Sequence, residues 1–239
     1  MVEKRKMPMG PAGGQKTLIQ AVLEKGADLL QPVTPLKDFN IYVVGFHCAK
    51  MDAGMQMEAH HYCRQVNEDF IQCVLFDGNT EDANLVGIEY IISEKLMETL
   101  PEEERKFWHP HNHEILSGTL VAPGLPTVAE KAMLRLLMNS YGKTYHLWHT
   151  GRHDGKGMPG HPLPMGEPNL MWSFNHDGEH DPSLEIDRDE SMKISTAEKR
   201  EERRDLMGMA KPQWGVNDML DQFPNAKPEQ TPWIKDKNE

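Results

Sequence analysis

Apolar and polar residues are spaced differently along successive stretches of this chain, and the changes in spacing mark its elements. From Thr17 to Gln31 the spacing is helical: Leu18, Val22 and Leu29, with Ile19, Leu23, Ala27 and Leu30, fall on one face. Pro32 ends this helix and Pro32–Asp38 is a linker. Residues 40–92 read as β structure with strands at Asn40–Ala49, Gln56–Val66, Phe70–Asp77 and Leu85–Ile92. Asn67, Glu68 and Asp69 supply a hairpin turn, and Asp77-Gly78-Asn79 closes the third strand. The helix is expected to dock its apolar face on this sheet.

Helical signals follow. Glu94–Thr99 is a short helix after Ser93. Thr99 with Glu102 has the spacing of a capping box opening a second helix to about Trp108, and Thr127 with Glu130 opens another to Tyr141, with Gly142 just past its end. Ile115–Ala122 reads as a fifth strand, Lys143–His149 as a sixth and Leu170–Phe174 as a last one. Ser195 with Glu198 makes a third capping box before the mixed-charge segment Lys199–Asp205. Gly151–Pro168, dense in Gly, Pro and His, is a long loop of the kind that carries function. After Lys211, four prolines exclude regular structure, while Trp214, Phe223 and Trp233 offer anchors to the body or to a second copy of the chain. The expected architecture is an α+β fold, mainly antiparallel sheet with packed helices. It has a flexible tail over 1–16, a single core domain over 17–208 and an extended C-terminal arm over 209–239.

Composition narrows the function. The net charge of −11 excludes a general nucleic-acid binder and electrostatic adhesion to anionic membranes. The longest clean apolar run, Ile41–Phe46, falls far short of the roughly 18 residues of a membrane span. No apolar stretch of a signal peptide follows the N-terminal charges. Cys48, Cys63 and Cys73 are an odd set without CxxC spacing, which points to free thiols in a reducing, cytoplasmic setting. In one register of the hairpin, Cys63 and Cys73 face each other.

The candidate chemistry lies in twelve histidines. Neighbours on a strand point to opposite faces, so His60 and His61 cannot share one ordinary site. His60 shares its face with Glu58, Tyr62 and Arg64; His61 shares its face with Ala59 and Cys63. Glu89 is a lone carboxylate in an apolar strand and needs a cation, a donor or a raised pKa. His47, His60, Glu89, His109 and His111 are the candidate ligands of a divalent transition metal (zinc, iron, manganese or copper), with Glu58, His61, Tyr62, Cys63, Arg64 and His146 as further pocket residues. The alternative is a hydrogen-bonded set of structural histidines, with Glu89 paired to Arg64 or to a histidine. No GxSxG, GxGxxG or P-loop is present.

The same residues carry a resemblance. Phe46-His47, Glu58 to Cys63, Asn67 to Cys73, Gly87 to Leu96, Leu100 to Glu104, Trp108 to His111, Pro123 to Pro126 and Tyr141 to Lys143 with His146 occur in order over roughly 17–175. This string resembles the oil body-associated protein family, also catalogued as a domain of unknown function. The resemblance implies peripheral contact with lipid droplets and no defined catalytic activity. It also makes His47, His60, His61, Glu89, His109, His111 and His146 a candidate shared pocket. His113, His149 and the longer C-terminal arm depart from the plant pattern.

Overall fold

The structure is a computed structural model that describes residues 11–151 and 160–238. Most of the expected 1–16 tail and much of the 151–168 loop lie outside the described residues.

Six strands close into an antiparallel barrel. In chain order β1 (Ile41–Ala49) pairs with β2 (Asp52–Asn67), β2 with β3 (Phe70–Phe76) and β3 with β4 (Leu85–Ile92). The two-residue β5 (His109–Pro110) precedes β6 (Tyr141–His146) and β7 (Asn169–Trp172). β4 pairs with β6, β6 with β7, and β7 returns to β1, which closes the ring. The second edge of β6 is shared: β7 takes Thr144–His146, and β5 takes Tyr141 and Gly142. An antiparallel sheet was expected; closure removes its free edges.

Register assigns the faces. His61 sits opposite Val43 and Leu75, Cys63 opposite Cys73, Cys73 opposite Glu89, and Glu89 opposite Thr144. These side chains line the interior, where Val43, Ile71, Leu75 and Ile91 supply its apolar part. The outer face of β1 and β7 is also apolar, with Phe46, Cys48, Trp172 and Phe174 covered by Leu184, Met219 and Phe223. β1 is therefore buried on both sides and reads as a nearly continuous apolar run.

Several expectations are corrected. Cys63 and Cys73 are not free thiols; they form a disulfide across the β2–β3 hairpin, and Cys48 remains a buried free thiol. Ile115–Ala122 is not a strand. α4 (Asn112–Ser117) occupies its start and ends at Gly118, whose left-handed φ of 89° has no β partner. Only Val121 pairs with a strand, across from Val44. Three of the carbonyls go to two buried arginines: Arg188 donates to Thr119, and Arg203 to Ile115 and Leu120. Side chains thus satisfy the backbone that a ladder was expected to satisfy.

Two capping boxes also fail. α3 (Glu102–Arg105), which follows α2 (Glu94–Met97), and α5 (Thr127–Leu137) are each preceded by a proline N-cap without a side-chain bond. Glu130 turns instead to the Ala122 amide at 2.9 Å and to Lys199 at 2.7 Å. α6 (Pro182–Met192) is capped by Asp181, and α7 (Thr196–Glu202) by Ser195 as expected. α5 stops at Leu137, so Gly142 is not its terminus but a residue of β6.

α1 (Leu18–Leu30) forms with a complete capping box between Thr17 and Gln20, yet buries none of its residues. The expected docking on the sheet does not occur. No helix among the described residues is long and apolar enough to cross a membrane. The C-terminal arm runs over the body in turns and short 3-10 segments, burying Val216, Met219, Phe223 and Ile234. Phe223 rests on Phe174, and Gln213 accepts from the Asn112 amide while donating to the Ser140 carbonyl.

Candidate functional site

β2 turns His60 and His61 to opposite faces, and the barrel decides their fates. His60 faces outward. Its Nδ1 lies 2.7 Å from the Tyr42 hydroxyl and its Nε2 3.0 Å from Glu58 Oε1, while Tyr42 stacks on Tyr62. Arg64 reaches Asp38 at 3.7 Å rather than Glu89. The candidate ligand His60 is therefore apart from Glu89, as are the further pocket residues Glu58, Tyr62 and Arg64.

His61 faces inward and meets Glu89, Nε2 to Oε2 at 2.8 Å. β5 and the turn after it bring His109 and His111 to the other carboxylate oxygen, each Nε2 3.4 Å from Oε1 and 3.2 Å from the other. His47 on β1 and His146 on β6 complete the group, with His47 Nδ1 3.3 Å from His146 Nε2. Donor atoms of His47, Glu89 and His109 all lie within 4.8 Å of one another. No residue of this group is more than 3% exposed, so water does not reach them freely.

Burial and coupling set the charges. Burial opposes ionisation of Glu89, but hydrogen bonds from His109, His111 and His61 outweigh it and hold the carboxyl well below its usual range. Burial also opposes protonation of His61, and Glu89 reverses it, so His61 is pushed up. Burial, reinforced by His61, pushes His47 far down and His146 to about 3. Burial lowers His109 as well and raises Glu114, on α4, to about 8.

Hydrogen bonds at Nδ1 fix the orientation of two rings. Ser140 donates to the Leu137 carbonyl, so its oxygen accepts from His111 Nδ1–H at 2.8 Å. His61 Nδ1 meets the Ala59 carbonyl at 3.1 Å, which accepts only. Each ring thus turns its Nε2 toward Glu89, the orientation that metal-ligating histidines adopt. His109 Nδ1, His146 Nδ1 and Thr144 Oγ1 are buried without a hydrogen-bond partner among the described residues. Such a set can bind a cation or share protons among its members.

His113 lies elsewhere, between the Phe174 carbonyl and Asp177, whose carboxyl is held down, against burial, by His113 and Arg200. Ser140, Gly142 and Glu114 belong to the site without having been singled out as site residues. The only sequence signal for the first two was their position directly before and within the segment pairing with β5.

A family model described as "Protein of unknown function (DUF1264)" matches residues 33–207. Oil body-associated protein 2B of Arabidopsis thaliana is 39% identical over 203 residues, covering 84% of this chain and 79% of the relative. Oil body-associated protein 2A of Arabidopsis thaliana is 37% identical over the same shares, and oil body-associated protein 1A of Zea mays is 36% identical over 82% and 79%. No solved structure matches. The residues quoted for the resemblance lie within this span, and the chain belongs to the oil body-associated protein family.

Proposed function

We propose that the chain is a peripheral lipid-body protein that attaches through α1. The observation that carries this reading is an amphipathic helix with its apolar face in solvent: Leu18, Ile19, Val22, Leu23, Leu29 and Leu30 are each 63–83% exposed. A helix that buries nothing against its own body has its apolar area left for another surface. The relatives' names supply the kind of surface. The polar face carries Glu24, Lys25 and Asp28, without the basic excess that anionic bilayers select, so an uncharged lipid surface fits better. Flotation with lipid droplets tests it, comparing the full chain with one lacking residues 1–31. Loss of flotation in the shortened chain is expected; equal flotation removes α1 from the reading.

A second reading concerns the barrel interior, which is a site for a divalent transition metal. It is supported by the buried convergence of His47, Glu89 and His109 with His61, His111 and His146 around them. Histidine nitrogens with one carboxylate suit zinc, iron, manganese or copper. Metal analysis of untagged protein tests it. A stoichiometric metal lost in Glu89→Ala but kept in His60→Ala is the expected result, and metal-free wild-type protein that also takes up none when supplied would end the reading.

A further inference from the structure

We infer that the metal of this second reading sits at a tetrahedral seat built by Glu89 Oε1, His109 Nε2 and His111 Nε2, with Gly142 as its floor. The inference rests on that reading and sharpens it, because it selects His111 over His47 as a ligand and a tetrahedral ion over an octahedral one.

The three donor atoms form a nearly equilateral triangle with edges of 3.2, 3.4 and 3.4 Å. Zinc bonds of about 2.0–2.1 Å at tetrahedral angles place neighbouring ligand atoms about 3.3–3.4 Å apart. Octahedral ions with bonds of similar length place them only about 3.0 Å apart. The triangle is one face of a tetrahedron.

A Cβ built on Gly142 would lie 2.1 Å from Glu89 Oε1 and 2.6 Å from both His109 Nε2 and His111 Nε2. Any side chain there would push the donors apart. Only a residue without one lets them close to metal-ligand spacing. Gly142 does not need its glycine for backbone reasons, since it is not among the positive-φ residues. The ligand triangle is what its bareness accommodates.

His111 Nδ1 is committed to Ser140, which turns Nε2 toward the Glu89 carboxylate and the His109 ring. A cation serves all three donors at once. His109 Nδ1 lacks a partner whether or not a metal is bound, so it does not discriminate. The remaining coordination position points away from Gly142 into the barrel.

The test uses the full-length, untagged protein with zinc or cobalt(II) as the probe. Wild type, Gly142→Ala, His111→Ala, Ser140→Ala and His47→Ala are compared by metal titration, with thermal unfolding as the folding control. Expected are one tight equivalent in wild type and in His47→Ala, and a loss of ten-fold or more in affinity for His111→Ala and Gly142→Ala. Ser140→Ala, which removes the partner of Nδ1 together with the bond to the Leu137 carbonyl, should weaken binding by about ten-fold. Cobalt(II) in wild type should show the intense visible bands of a four-coordinate ion. If Gly142→Ala does not fold, His111→Ala and Ser140→Ala decide. Binding kept in His111→Ala and Ser140→Ala but lost in His47→Ala overturns the seat while leaving a metal in the barrel. So does a six-coordinate cobalt spectrum. No metal bound by any form overturns both.

Discussion

β2 delivers two adjacent histidines to two very different environments. Outside, His60 joins Tyr42 and Glu58, and every member comes from β1 or β2. Inside, His61 meets Glu89 from β4, and the same carboxylate gathers His109 from β5 and His111 just after it. The outer trio can form from one hairpin. The inner cluster exists only when β4, β6 and β7 have closed the ring. Equal chemistry on one strand therefore yields one local arrangement and one that depends on the whole topology.

The comparison is broken most forcefully at Glu89. Glu89→Ala leaves His61 buried without its counter-charge and should cost about 3–5 kcal/mol in denaturant unfolding. The pH profile of metal-free wild type should share this origin. The depressed Glu89 carboxyl contributes stability above about pH 4.5 that fades as pH falls through its folded value. His146, lowered to about 3, and His47 resist protonation, so stability falls further as pH drops below about 6.5. His61 is raised and contributes fully below about pH 6.5, then loses that contribution as pH rises through its folded value; Glu114, raised to about 8, acts in the same sense. A maximum near pH 6.5 is expected in chemical denaturation, and a profile still rising at pH 8 would contradict it.

Smaller effects sharpen the contrast. Replacing Cys63 and Cys73 with alanine removes a short cross-link in the inner wall and should cost about 2–3 kcal/mol, measured against wild type under oxidising conditions. Tyr42→Phe removes the outer hydroxyl bonded to His60 and should cost about 1 kcal/mol, well under the Glu89 effect. Deleting residues 1–31 should change unfolding free energy by less than about 0.5 kcal/mol, because α1 buries none of its residues. A larger loss would show that α1 packs on the barrel after all.

Much of this was legible in the chain. Strands β1 to β4 lie close to their expected bounds, and Glu89 in an apolar strand correctly marked a carboxylate needing partners. Period two also separated His60 from His61, but it cannot say which face is inside. The clue lay in their company: His61 stands between Ala59 and Cys63, both small and buried, while His60 stands between Glu58 and Tyr62. Ile115–Ala122 misled because its apolar residues are buried without a ladder, the carbonyls of Ile115, Thr119 and Leu120 being held by Arg188 and Arg203 from far along the chain. Gly142 misled because a glycine after a helix usually ends it. Here it serves a side-chain cluster that only closure assembles.

Gln213 has a consequence for biosynthesis. It bonds the Asn112 amide beside His111 and the carbonyl of Ser140, the residue that orients the His111 ring. Yet it follows every barrel strand in chain order. Translation therefore delivers the clasp after all the imidazoles have emerged, and the ring of His111 gains its full support only at the close of vectorial folding.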